Sequence, residues 1–94
     1  MSIKNVSMRQ IQLFVEVAKR QSFVRTAEAM HLTPPAVTMQ IKELEAAVEL
    51  PLFDRRGRSV SLTTAGEYFL VYAKRVLSTL KDAEDAMARL RRTE

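Results

Sequence analysis

The feature of this sequence that most restricts its fold is a long stretch near the carboxyl end without a helix breaker. From Glu67 to Arg92 there is neither glycine nor proline, so one helix can run throughout. Apolar residues recur along it in steps of four and three, the a/d pattern of a coiled coil, at Phe69, Ala73, Val76, Leu80, Ala83, Met87 and Leu90. About 28 residues would make a rod of about 42 Å. Such an exposed apolar stripe predicts a homodimer through this helix.

Two short helices are predicted at the amino end, because their starts carry capping residues. Ser7 is followed three residues later by Gln10, a capping-box signature that predicts a first helix over about 7–20. Ser22 predicts the start of a second helix over about 23–30. The apolar residues at helical spacing are Met8, Ile11, Phe14, Val15 and Ala18 in the first helix, and Phe23, Ala27 and Met30 in the second.

A third helix is predicted over 34–49. Thr33 is a suitable N-cap, and Pro34 suits the first helical position, where its missing N–H costs nothing. The apolar stripe of this helix is formed by Val37, Ile41, Leu44 and Val48. The other face is then free to contact another molecule, and it carries Ala36, Thr38, Met39, Lys42 and Glu43.

A small β-hairpin with a basic tip is predicted after the third helix. Residues 50–53 are apolar, residues 54–58 include three arginines, and residues 59–62 alternate as a strand does. Thr63 or Thr64 then begins the last helix.

The predicted fold class is therefore mainly α. We expect a winged helix-turn-helix domain over 1–62, built from three helices and a β-hairpin wing, followed by a long dimerisation and linker helix over 63–94.

Composition narrows the class of function. The formal net charge of +4 and the pI near 9.9 favour an anionic partner, of which nucleic acid is the commonest. The chain has no cysteine, and His31 has no second histidine to complete a metal site. With no phosphate loop and no paired acid–base constellation, we expect no enzyme and no cofactor. No run reaches the roughly 20 apolar residues of a membrane span and no signal-peptide pattern occurs, so we expect a cytoplasmic protein.

The second and third helices, joined by a tight turn, match the helix-turn-helix whose second helix enters the DNA major groove. Free backbone N–H groups at the start of the third helix would favour phosphate. Thr38 suits a base or a phosphate, Lys42 a phosphate, and the apolar side chains thymine methyl groups. Wing arginines suit the flanking backbone or a narrow minor groove. The candidate DNA-binding residues are Thr33, Pro34, Pro35, Ala36, Thr38, Met39 and Lys42, with Arg25 in the second helix and Arg55, Arg56 and Arg58 in the wing.

From Met8 to about Leu90 the sequence also resembles the amino-terminal region of the LysR-type transcriptional regulators. The resemblance rests on several ordered blocks at the family's separations. They are QIQLFVEVA at 10–18, SFVRTAE at 22–28, LTPPAVT at 32–38 with QI at 40–41 and LE at 44–45, LFDR at 52–55, and LTTAG at 62–66. The stretch AVTMQI at 36–41 is similar to that of regulators of carbon-fixation genes within this family.

The resemblance implies the DNA-binding part of a bacterial regulator. Its linker helix would pair antiparallel in a homodimer that binds two half-sites of an approximately palindromic double-stranded operator, and a tetramer stays open for a full-length protein. Family members continue into an effector-binding domain, so we expect this chain to be a fragment. The implied contacts to DNA are Pro34, Pro35, Ala36, Thr38 and Met39 for bases, and Arg55 and Arg58 in the wing.

Two positions depart from the family pattern. Pro34 stands where the family usually has glutamine, and Met39 where many members have arginine. Both departures remove a polar reader of bases, so the base preference of relatives cannot be carried over to this chain.

A protein-interaction module is the alternative function, since winged helices also bind proteins and the stripe over 69–90 is an association surface. Charge favours DNA: the first 62 residues hold nine Lys or Arg against six Asp or Glu, with the excess at the wing. Two groups of residues are expected to be structural. They are Phe14, Phe23, Phe53 and Phe69 as core residues, and Lys81, Asp82, Glu84 and Asp85 as solvated or interhelical charges.

Overall fold

The structure, a computed structural model, describes residues 3–57 and 59–93. A 3₁₀ turn precedes four helices and one two-stranded antiparallel hairpin, which confirms the predicted mainly α, winged arrangement. In chain order the elements are the 3₁₀ turn Ile3–Asn5, α1 (Met8–Arg20), α2 (Phe23–Ala29), α3 (Pro34–Val48), β1 (Phe53–Asp54), β2 (Ser61–Leu62) and α4 (Thr64–Thr93). Among these residues, no helix is both long and apolar enough to cross a membrane.

The helix starts follow the predicted caps. The Ser7 hydroxyl accepts from the Gln10 N–H and the Gln10 side chain accepts from the Ser7 N–H, so the capping box is complete. The Ser22 and Thr33 hydroxyls accept N–H groups three residues on, at the starts of α2 and α3. The predicted ends of α2 and α3 are each one residue too long, since Met30 and Glu49 are C-caps, the latter with φ of 61°.

The predicted inward face of α1 is partly wrong. Of the five apolar residues at helical spacing only Phe14 is buried, together with Gln10, Leu13 and Val17, whereas Met8 is exposed. The reason is that α1 packs against α2, α3 and α4 at once, so its most buried line faces the middle of the bundle. The remaining three predicted residues, Ile11, Val15 and Ala18, lie on the half-buried flanks.

The apolar stripe of α3 faces the core as predicted, except that Val48 is only half-buried, and the four phenylalanines pack in or against the core. Val37, Ile41 and Leu44 are buried, and Val48 is half-buried. The four phenylalanine rings form a chain in which neighbouring centroids are 5.1–5.9 Å apart, a spacing typical of favourable aromatic pairs. The order of the rings is Phe23, Phe53, Phe14 and Phe69, so the core links α2, the wing, α1 and α4.

The hairpin is shorter than predicted and is locked to the start of α4. Phe53 pairs with Leu62 and Asp54 with Ser61, so the strand predicted over 59–62 covers only its last two residues. The Thr63 hydroxyl donates to the Pro51 carbonyl at 2.7 Å and accepts from the Gly66 N–H at 3.0 Å. Thr63 is therefore the N-cap that begins α4.

The first turns of α4 belong to the globular core. Ala73 is 1% exposed and packs within the core, and the Phe69 ring meets Phe14. Ala73 is thus buried within its own chain and Phe69 packs partly against the core, so the continuously exposed part of the stripe begins at Val76. The predicted dimerisation role of the stripe stays a prediction. The division of the chain at residue 62 stays a prediction, although the core itself extends beyond it.

Candidate nucleic-acid interface

The outer face of α3 presents a mainly apolar surface to solvent. Pro34, Pro35 and Lys42 are exposed, and Met39 keeps 55% of its surface exposed. Thr38 is half-buried, and so is Ala36 beside it. Six of the seven predicted residues in this region, from Pro34 to Lys42, thus lie along one helix, and the seventh, Thr33, is its exposed N-cap.

The predicted free N–H groups at the start of α3 are absent, and this expectation was wrong. Pro34 and Pro35 carry no N–H, and they occupy the first two helical positions. The next N–H, of Ala36, is already accepted by the Thr33 hydroxyl at 3.3 Å, and that of Val37 by the Thr33 carbonyl at 3.2 Å. Only the helix dipole and side chains can therefore act on a phosphate at this end.

A buried glutamine holds α3 in its orientation relative to α1. The Gln10 side chain is 7% exposed, and its Nε2 donates to Gln40 Oε1 and to Glu43 Oε2, both at 3.2 Å. These bonds join residues 30 and 33 positions apart, whereas the sequence indicated only a capping role for Gln10. Gln10 is a positioning residue for α3 that sequence reasoning missed.

A second missed residue connects α3 with the wing. The half-buried carboxylate of Glu45 accepts the Leu52 N–H at 2.7 Å and the Phe53 N–H at 3.3 Å. Charge-assisted bonds of this kind are stronger than neutral ones. The wing therefore begins at a position that the carboxyl half of α3 sets.

Two of the three wing arginines, Arg55 and Arg56, have partners within the chain. The Arg55 guanidinium lies 4.3 Å from the centre of the Phe23 ring, a cation–π contact that attaches the wing to α2. Arg56 Nη2 lies 2.9 Å from Asp54 Oδ2 in a salt bridge at the wing surface. The third predicted wing residue, Arg58, lies outside the described residues.

The start of α2 adjoins the wing and adds further positive charge. Exposed Arg25 lines a shallow cleft together with Arg20, Ser59 and Val60. The Val60 N–H donates to the Gln21 carbonyl at 3.3 Å, which holds the wing against the turn between α1 and α2. Arg25 therefore lies beside the wing.

The outer part of α4 forms a second candidate surface. Val76, Leu80, Met87 and Leu90 are 39–58% exposed, and Ala83 is exposed between them. Beside this stripe, Lys81 Nζ lies 3.0 Å from Asp85 and 3.7 Å from Glu84, and these partners raise the pKa of Lys81. Lys81, Glu84 and Asp85 thus pair along their own helix at solvent-exposed positions, while the apolar stripe lacks a cover from the described residues.

Comparison with known proteins gives close matches in sequence. The family described as "Bacterial regulatory helix-turn-helix protein, lysR family" matches residues 8–67. "HTH-type transcriptional regulator CfxR" from Cupriavidus necator is 44% identical over 92 residues, 98% of this chain and 29% of that protein. A "RuBisCO operon transcriptional regulator" from Acidithiobacillus ferrooxidans is 39% identical over 94 residues, all of this chain and 30% of that protein. The chain spans less than a third of these relatives, and the second name agrees with the noted similarity to carbon-fixation regulators.

Solved structures of similar fold include complexes with DNA. The BenM DNA-binding domain with benA site 1 DNA has a TM-score of 0.86 and 30% identity, covering 89% of this chain and 94% of that one. The DNA complex of the CbnR DNA-binding domain has a TM-score of 0.83 and 31% identity, covering 89% and 97%. Together with the family match over 8–67 and the helix-turn-helix described above, these findings show that the chain belongs to the LysR family of bacterial regulatory helix-turn-helix proteins, as a DNA-binding domain.

Proposed function

We propose that this chain binds double-stranded DNA sequence-specifically as a homodimer, and that this binding regulates transcription in a bacterium. The observation that carries the proposal is the exposed outer face of α3. This helix is the second of a helix-turn-helix, it is bonded to α1 through Gln10, and its own Glu45 is bonded to the wing. Similar domains were solved in complex with DNA, which supports this use of the fold.

The proposed geometry places one α3 of each chain in the major groove. Two such helices fit half-sites about one helical turn apart, roughly 34 Å, or a multiple of it, on an approximately palindromic operator. In this geometry the wing, where Arg55 lies over the Phe23 ring, and the neighbouring Arg25 are suited to contact the flanking phosphates.

Two substitutions in α3 separate base reading from phosphate binding. We expect Thr38→Ala to broaden the set of sequences bound, because Thr38 is the neutral hydrogen-bonding side chain on this face. We expect Lys42→Ala to weaken binding to all sequences alike and to lower the salt slope by about 0.9, the value of one phosphate contact. Affinities measured by fluorescence anisotropy over a salt series check both results, and identical profiles for the two variants would contradict these roles.

The decisive experiment is selection from a random-sequence duplex pool at several salt concentrations, with the mass of the protein measured in parallel. Enrichment of a two-fold-related motif by a dimer, weakening with salt, is the expected result. No enrichment together with a flat salt response would contradict the proposal and favour the protein-interaction alternative.

A further inference from the structure

The outer face of α3 exposes more apolar than polar surface to solvent. Pro34, Pro35, Met39 and Ala46 line one shallow depression on the outer face, joined by the polar residues Thr38 and Lys42. Met39 keeps 55% of its surface exposed, so its side chain is available to a partner.

Hydrogen-bonding groups are scarce on the same surface. The first two helical positions have no N–H, and the Ala36 N–H is used by Thr33. Glu43, at the edge of the depression, accepts from Gln10. Thr38 and Lys42 remain, and no Arg, Asn or Gln faces this depression from the described residues that line it. Among these lining residues, Lys42 is the one side chain of a type that contacts guanine, and none offers the amide group that identifies adenine, so the rest of the depression can contact a base mainly through carbon atoms.

The major groove offers one apolar group that such a surface can recognise, the C5-methyl group of a pyrimidine. We infer that Met39, supported by Pro34 and Pro35, recognises this methyl group itself, so that 5-methylcytosine can replace thymine at the contacted position. The inference rests on the proposed function and specifies the chemical group that the site reads. Because a methyl contact does not depend on the O4 or N4 atom beside it, the hydrogen-bonding pattern of the base matters little there.

The test uses one selected duplex in four forms. At each thymine of the half-site in turn, the T·A pair is kept, or replaced by U·A, by C·G, or by 5-methylcytosine·G. Uracil removes only the methyl group, and we expect affinity to fall about fourfold at the contacted position, the equivalent of one buried methyl group. We expect C·G to weaken binding at least as much, and 5-methylcytosine·G to restore it to within about twofold of T·A.

Variants of Met39 test whether this residue causes the difference in affinity between thymine and uracil duplexes. Met39→Gln keeps the length of an exposed side chain and should abolish the difference between thymine and uracil, whereas Met39→Leu should retain it. Circular dichroism confirms that both variants fold.

The outcomes separate the inference from the proposed function. Equal affinity for thymine and uracil duplexes at every position overturns the inference while the DNA-binding proposal stands. A uracil effect without rescue by 5-methylcytosine also overturns it, because the methyl group would then not be sufficient. Absence of binding to every duplex contradicts the proposed function, and this inference with it.

Discussion

Arg55 and Arg56 are neighbours in the wing, but their guanidinium groups are held in different ways. Arg56 Nη2 and Nε donate to the Asp54 carboxylate at 2.9–3.3 Å, so a phosphate must compete with this carboxylate for Arg56. Arg55 stacks on the Phe23 ring, and a stacked guanidinium keeps its N–H edges free. Of these two residues, Arg55 is therefore the better prepared to contact the DNA backbone.

The pairing of Asp54 with Arg56 gives a measurable acid titration. The side-chain and backbone hydrogen bonds from Arg56 lower the pKa of Asp54 from 3.8 to about 2. Since this folded-state pKa lies below the unfolded value, the pair contributes stability above about pH 4 that is lost as the pH falls towards 2. We expect Arg56→Ala to return the pKa of Asp54 towards 3.8, measured by carboxyl-carbon NMR titration. Arg55→Ala is the matched control and should leave it low; an unchanged pKa in Arg56→Ala would show that the pair does not form.

At the scale of elements, the wing and the start of α4 lie so close together that position 66 has no room for a side chain. A Cβ placed on Gly66 would overlap the Leu52 carbonyl oxygen and lie 2.9 Å from the Leu62 side chain. The same Leu52 carbonyl accepts the Thr63 N–H at 3.0 Å, so it cannot turn away without losing that bond. Gly66 thereby sets how near the start of α4 lies to the wing.

Replacing Gly66 should therefore destabilise the fold. We expect Gly66→Ala to lower the free energy of unfolding by about 1–3 kcal/mol, because either α4 or the wing must shift. Gly57→Ala is the matched control, since a Cβ there would approach only the Ser59 carbonyl, at 3.9 Å, and its effect should stay within about 0.5 kcal/mol. Urea unfolding measures both variants, and equal midpoints would mean that the contact at Gly66 is not tight.

At the scale of the whole molecule, α4 changes its environment along its length. Phe69 and Ala73 complete the core, while the stripe from Val76 to Leu90 is exposed in a molecule that extends 53 Å in its longest dimension. Large apolar patches on an exposed helix mark association surfaces. The proposed dimer would bury this stripe and fix the distance between the two α3 helices. The dimer interface would therefore determine the spacing of the half-sites in the operator.

A charge in the middle of the stripe tests the proposed dimer. We expect Leu80→Asp to raise the dimer dissociation constant at least about 100-fold, because each chain loses an apolar contact and would bury a carboxylate. Ser78→Asp introduces the same charge at an exposed position on the other side of the helix and should leave the dimer intact. Sedimentation equilibrium distinguishes the two, and a Leu80→Asp variant that stays dimeric and binds a two-half-site duplex tightly would refute this role of α4.

The sequence by itself determined the features that depend on neighbours along the chain. A capping hydroxyl reaches an N–H three residues on, so Ser7, Ser22 and Thr33 specify the starts of α1, α2 and α3 without help from the rest of the molecule. Likewise, the apolar period of α3 and the unbroken run of α4 predicted those two helices, and the ordered motifs indicated the family that the comparison confirmed.

Only the tertiary structure decided which residues of each helix are buried and which segment they pack against. Apolar spacing on α1 could not identify its most buried line, because that depends on three helices packing around it. The heptad of α4 is continuous in sequence, yet Phe69 and Ala73 face the chain's own core. Gln10 acquires its role from partners 30 and 33 residues away. Periodicity specifies which residues share a face, but what covers that face is decided by contacts between distant segments, and those exist only once the chain has folded.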